Sequence, residues 1–432
     1  MALNCYQESL KIQLLKISQS PDVISTCLKI GRLHSIEENW EEALSFFRKA
    51  LDVTERVFGE NDDSIGDMMF EMADIHLKMN EGAEAIEIFG DCLDFRRKQF
   101  DGPHPHVAKV LEGLGRVHLK TKTYEKAYTY LVEALEIRQA TMKQNHPDTA
   151  TTFHLIGIVE RKLGDCERAL GFLLSSLHIR KTQREQGDTA LTLTEIGHVH
   201  RQLQDDFSAL CCYEKSMEII NQHYGNNNTR LIDIYLPLGN IKRKQGILDE
   251  AEDYYQCALQ ISEERLGDKH RKTGIVFRNY AFLHFESKSY NEALEKFETF
   301  IEIHNLQKDE KTADYILALQ LIGDIHRHQS RFDKANKVFS HANNIYSNNK
   351  EIAKKYPTFG TILKRRLTEE KNEDTLAPAS LFERISGELA RLADETNFTN
   401  DEIQYREEEI ELIHSIQINE EGCEYDSGIR KK

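Results

Sequence analysis

The chain has 432 residues with 56 basic and 72 acidic side chains, a formal charge of −16. Seven prolines and 23 glycines are too few for a loop-rich all-β or disordered chain, while 30% charged and 40% hydrophobic residues suit helices with one buried stripe and one wet face. The acidic balance disfavours nucleic acid as a partner unless the basic residues gather on one surface.

No window approaches 18 consecutive apolar residues, so no membrane span is expected. Glu8 and Lys11 interrupt any apolar stretch at the start, which excludes a secretory signal there. The eight cysteines form no CxxC pair and no zinc spacing, and they read as free thiols of a reducing compartment. The expected location is cytoplasmic.

In chain order, Ala2, Tyr6, Ser9 and Leu10 repeat the spacing of Ala43, Phe47, Ala50 and Leu51. Residues 1–20 therefore read as the second helix of a half-repeat, either a cap or the edge of a longer array. From residue 21 to 348 one frame recurs. Its small residue, position 0, stands at Gly31, Ala73, Gly115, Gly157, Gly197, Gly239, Ala281 and Gly323. The interval is 42 residues throughout except between 157 and 197, where it is 40. Alanine occupies position +12 in all eight units, from Ala43 to Ala335, and a large apolar residue position +16, from Phe47 to Phe339. Intervals of four and three mark one helix face, and a first helix carries position 0. Each unit is a helical hairpin that buries its stripe against its neighbours. Pro237 lies inside a first helix and predicts a local kink.

After the eighth unit, residues 349–368 read as a capping segment with a helix over 358–367 bearing Lys364-Arg365-Arg366, and 369–432 as an acidic, partly helical tail. Within it, 379–395 and 400–417 are amphipathic, the second opening on a Thr399…Glu402 capping box.

The small residues at positions 0 and +12 and the ring four residues beyond resemble the tetratricopeptide repeat over 24–348. The 42-residue length and loops such as Gly102-Pro103-His104-Pro105 look most like kinesin light chain and nephrocystin-type arrays. Two departures stand out. Of the Asn-Asn-Leu-Ala common in those families at position 0, only Asn279 survives, and the heptad coiled coil of kinesin light chain is absent. The resemblance implies an all-α, right-handed α-solenoid of about eight hairpins.

No phosphate loop, GxSxG, HExxH or EF-hand pattern occurs, so no catalytic residue and no cofactor or metal is expected. Six histidines fall at +3 (His34, His76, His118, His200, His284 and His326). They read as packing residues whose ring nitrogen bonds a neighbouring helix. The adjacent Cys211 and Cys212 diverge on a helix and do not make a redox pair.

The resemblance implies that ligands touch a concave face at −3, +1, +4 and +5. At +4 stand Arg161, Arg201, Arg243 and Arg327; at +5 Lys78, Lys120, Lys162 and Lys244; at +1 Arg32, Arg116 and Asn240; and at −3 Arg278. Asp74 and Asp324 interrupt this basic ladder. Two readings stay open: cations near helix C-termini complement the helix dipole, or the arginines capture carboxylates in bidentate fashion. The second predicts a non-enzymatic adaptor that binds a partner peptide, preferably acidic, in the groove. The rivals are an oligomeric scaffold that self-associates through end helices, and single-stranded RNA binding. The scarcity of concave aromatics beyond Phe282 and Phe285 counts against RNA. The tail 401–426 sets ten carboxylates against Arg406, and it reads either as a solubilising segment or as a tethered competitor for the groove.

Overall fold

The computed structural model describes residue 6 and residues 21–143, 145–183, 186–306, 312–355 and 357–368. Most of the proposed half-repeat at 1–20 and the whole tail at 369–432, with its amphipathic segments and capping box, lie outside the described residues. The described residues form 18 α-helices, one 3-10 turn and no strand, an all-α solenoid. The chain divides into two compact units, Met1–Glu185 and Gln186–Lys432. The irregular 40-residue interval spans their boundary.

Unit 1 holds four hairpins: α1 (Pro21–Ile36) with α2 (Trp40–Phe58), α3 (Asp63–Lys78) with α4 (Gly82–Gln99), α5 (Pro105–Lys120) with α6 (Tyr124–Thr141), and α7 (Pro147–Leu163) with α8 (Cys166–Gln183). Unit 2 holds four more. They are α9 (Gln186–Gln202) with α10 (Asp206–Tyr224), α11 (Ile232–Lys244) with α12 (Leu248–Leu266), α13 (Arg271–Glu286) with α14 (Tyr290–Leu306), and α15 (Ala313–His328) with α16 (Phe332–Asn348). The short α17 (Lys350–Lys355) and α18 (Pro357–Thr368) follow.

The recurring small residues are explained by contact. All eight alanines at +12 are fully buried. A β-carbon on Gly115 would meet Leu131 Cγ at 2.5 Å, and one on Gly197 would meet Tyr213 Cε1 at 2.7 Å. Position 0 therefore lies against the large residue at +16 of the same hairpin, and only a hydrogen or a tolerated methyl fits between the two helices.

Each hairpin is closed in one way. Position +7 has a left-handed backbone in all eight units: Glu38, Asn80, Lys122, Gly164, Gln204, Gly246, Lys288 and Ser330, with φ from 57° to 97°. The residue after it then donates its N–H to the carbonyl at +3, as Glu81 does to His76 at 2.9 Å and Arg331 to His326 at 2.8 Å. Only two of the eight are glycine, so six hairpins accept the strain of a side chain at positive φ.

Pro237 is buried inside α11, at 13 residues the shortest first helix of the eight hairpins. A 3-10 turn, Thr229–Leu231, supplies the winding that precedes it.

In unit 2, α18 packs on α16 with Leu363 fully buried. Arg366 forms a two-point ion pair with Asp324, at 3.0 and 3.2 Å, and the two residues are 42 apart. Helix α18 is therefore a ninth first helix in register. Its position 0 is Arg365, where the other units have glycine or alanine.

Candidate functional site

The first-helix residues singled out from sequence fall into distinct environments. In unit 1, Arg32 is exposed and pairs with Glu71 at 3.4 Å. Lys78 pairs with Asp74 at 2.8 Å and lies over the Trp40 ring. Arg116 pairs with the buried Glu112. The Lys120 ammonium donates to the Leu77 carbonyl at 2.6 Å, and burial pulls its pKa below the usual lysine value. Arg161 is half-buried and Lys162 exposed, and both have interaction partners.

In unit 2, Arg243 pairs with Glu286 and sits over the Phe282 ring. Burial raises the Glu286 carboxyl above the usual range, and Arg243 opposes that shift. Arg278 pairs with Asp314. Asn240 accepts a hydrogen bond from the Tyr255 hydroxyl at 2.7 Å. Arg201 and Lys244 make no side-chain hydrogen bond or ion pair among the described residues.

Arg327 departs from the expectation of an open groove rung. It is 7% exposed, its guanidinium donates to the Arg366 carbonyl at 2.6 Å, and it lies over the Phe339 ring. Helix α18 covers it, and Asp324 is consumed by Arg366 on the same rung. The ladder is also less basic than its cations suggested. Asp74 and Glu112 pair with Lys78 and Arg116 one turn on in the same helix, while Glu71, Glu286 and Asp314 come from the adjacent first helix.

Three of the +3 histidines contact the start of their own second helix through a ring nitrogen. His76 Nδ1 lies 2.6 Å from Glu81 Oε2, and His118 Nδ1 lies 2.8 Å from Thr123 Oγ1, each partner being five residues on, at the start of the second helix. His200 Nδ1 is 3.6 Å from Asp205 Oδ2, and its contact holds the Asp205 carboxyl well below the usual range. In these three the neighbouring helix belongs to the same repeat, while the Nδ1 atoms of His34 and His326 are buried with no hydrogen-bond partner among the described residues. Among the described residues, no group of three or more His, Cys, Asp or Glu could hold a metal ion. Burial raises the thiol pKa of Cys27, Cys92, Cys211 and Cys257, and the pair Cys211 and Cys212 is reduced. No helix among the described residues is long and apolar enough to cross a membrane.

Sequence reasoning missed a second polar system. At +23 of three consecutive repeats, Arg96, Arg138 and Arg180 are 1–3% exposed. Arg96 pairs with Asp63 and Asp67 and donates to Gln99 at 2.9 Å. Arg138 pairs with Glu112 and donates to Thr152 and to the Asp148 carbonyl. Their regular 42-residue spacing was the available signal.

Three solved structures illustrate the likeness of the fold. RapI in its apo form is 15% identical over 61% of this chain and 90% of its own, with a TM-score of 0.50. BtubC (BKLC) from P. vanneervenii is 19% identical over 52% and 91%, with a TM-score of 0.47. A putative kinesin light chain of Podosopora anserina with nearly identical TPR-like repeats is 16% identical over 48% and 99%, with a TM-score of 0.41. Among curated proteins none matches the chain by sequence. The tetratricopeptide repeat model matches residues 22–98, 106–182, 188–264 and 230–305, more than half of the chain. With the 42-residue frame, the paired helices and the packed small residues, these matches lead to one conclusion: the chain belongs to the tetratricopeptide repeat family.

Proposed function

We propose that the protein is a non-enzymatic adaptor of the cytoplasm that holds an extended, preferably acidic, peptide segment of a partner against its first-helix face. Arrays of this family act as protein–protein interaction scaffolds. The observation that carries the acidic preference is the pair Arg201 and Lys244. They stand in consecutive repeats of unit 2 and have no carboxylate of their own among the described residues, whereas most of the other cations are neutralised locally. A guanidinium and an ammonium without an internal partner favour carboxylates that arrive on another chain. The paired cations contribute to shape and register more than to net attraction, so recognition is expected to be salt-sensitive but modest.

An array of acidic 12-residue peptides, with charge-neutral analogues, tests this reading against wild type and the double variant Arg201→Glu/Lys244→Glu. Selective loss of the acidic peptides in the variant is the expected result. An unchanged binding profile would sink the acidic preference.

A further inference from the structure

In unit 2 a cavity of about 50 Å³ lies between α13, the end of α14 and the start of α15. Arg271, Gly274, Arg278, His304, Thr312 and Asp314 are among its walls. Its register is that of the buried arginines of unit 1, for His304 stands at +23, the position of Arg96 and Arg138. In repeats two and three that position carries a guanidinium held by carboxylates of the same hairpin's first helix. Asp63 at −10 and Asp67 at −6 hold Arg96, and Glu112 at −3 holds Arg138. Repeat seven has arginine at two of those three positions, Arg271 at −10 and Arg278 at −3. The charge of the walls is inverted, and no cation fills the centre.

The space has a packing origin. Gly274 stands at −7, as Gly66 does in repeat two, where a β-carbon would collide with the Arg96 guanidinium. Repeat seven keeps this glycine but carries the shorter His304 at +23. Its ring stacks on Tyr315, and its Nε2 lies 3.1 Å from Thr312 Oγ1, so the imidazole is held against the start of α15. Thr312 Oγ1 accepts the Tyr315 N–H at 3.2 Å, which leaves the hydroxyl proton to give. Arg278 Nε is buried with no hydrogen-bond partner among the described residues, while Nη1 pairs with Asp314. The Asp314 side chain is 59% exposed, and such a solvent-side counter-ion is displaced at little cost.

We propose that this cavity binds a phosphate group, as the free ion or a small monoester, with Arg271 and Arg278 as charged donors and Thr312 as a hydroxyl donor. At about 10–15 Å³ for each water-sized group, the volume holds roughly four of them, the number of phosphate oxygens. Guanidinium forks match phosphate oxygens in bidentate pairs. Two guanidiniums and one carboxylate are among the walls, so a dianion suits the site better than a carboxylate, which would only exchange with Asp314. The site is independent of the peptide-binding reading, since neither Arg201 nor Lys244 lines it.

The test is calorimetric titration of the full chain at low salt with inorganic phosphate and with glycerol 3-phosphate. One site per chain is expected for inorganic phosphate. Arg278→Gln should weaken it about tenfold or more, the loss of a charged hydrogen bond. Asp314→Asn should tighten it about threefold by removing the competing carboxylate, a gain that a purely structural ion pair does not predict. Arg201→Glu/Lys244→Glu should leave it unchanged. Melting curves establish that each variant is folded; should Arg278→Gln melt early, the Asp314→Asn gain decides. Binding of the ester as well assigns the site to monoesters, and binding of inorganic phosphate alone assigns it to the free ion. The proposal is overturned if wild type binds no phosphate, if folded Arg278→Gln binds as wild type does, or if Asp314→Asn binds no more tightly. Loss of binding in Arg201→Glu/Lys244→Glu also overturns it, by moving the anion to the first-helix face.

Discussion

Units 1 and 2 share one hairpin frame but differ in the charge they bury behind the first helices. Unit 1 places it at +23, where Arg96 and Arg138 anchor ion-pair networks behind the first helices, while +16 is Phe or Leu. In unit 2, +23 is Ile220, Ser262, His304 and Tyr346, and two tyrosines at +16 send hydroxyls toward the first-helix face. The frame thus dictates backbone and small-residue contacts but leaves each repeat free to choose where a buried polar group goes. A buried charge must bring its partners with it, as Arg138 brings Glu112 and Thr152.

The sharpest way to break this contrast is Arg138→Ala. It strands Glu112, 5% exposed, with Arg116 alone, and is expected to destabilise unit 1 by about 3–5 kcal/mol. Denaturant unfolding with hydrogen exchange resolved by unit should place the loss in 21–183 and leave unit 2 unaffected. Recovery of most of the loss in Arg138→Met/Glu112→Leu would confirm that the cost is the orphaned charge.

The shared frame is probed next. Gly115→Ala forces a methyl into Leu131 and should cost about 1–3 kcal/mol by overpacking, while Gly31→Ala, with Phe47 at 3.1 Å, should cost about 1 kcal/mol or less. Equal melting shifts in the two variants would contradict the contact-based account. At +7, Lys122→Gly should gain about 0.5–1 kcal/mol by relieving a φ of 61°, and Gly164→Ala should lose about 1 kcal/mol. Chemical denaturation of both variants reads the opposite signs directly.

The smallest effect is a pH dependence common to both units. His104 and His146 in unit 1 and His270 in unit 2 cap helices, each Nδ1 accepting a backbone N–H two residues on. Only the unprotonated ring can accept. Burial holds His104 and His270 below the ordinary value of 6.5, so the folded state disfavours the proton relative to the unfolded chain. Their contribution is complete above 6.5 and is lost as pH falls below it, about 0.5 kcal/mol per cap. Melting curves between pH 7.5 and 5.5 should show this decline, and His104→Asn should flatten part of it. A decline equally steep in that variant would remove the cap from the account.

What was legible in the sequence follows from these physics. The frame could be read because close helix contact tolerates only small residues at 0 and +12, and that restriction recurs eight times. The left-handed residue at +7 was hidden, since Glu38, Gln204 and Lys288 do not advertise positive φ as glycine does. Arg96 and Arg138 were hidden because arginine on a second helix reads as surface until its partners, supplied by the facing first helices, are known. Arg201 and Arg327 looked equivalent at +4, yet one has no ion pair among the described residues and the other is buried under α18. Register specifies where a side chain starts, not what an adjoining helix places over it.

The arginine at position 0 of α18 has a consequence for how such an array can grow. Duplicating a 42-residue block among the eight hairpins would preserve every closure and every small-residue contact, so lengthening from within is sterically permitted. A hairpin partner added directly after residue 368 would have to set its large +16 residue against position 365, where the other units keep a glycine or alanine. The small residue that the frame sets at position 0 is therefore present in the eight hairpins and absent at position 365.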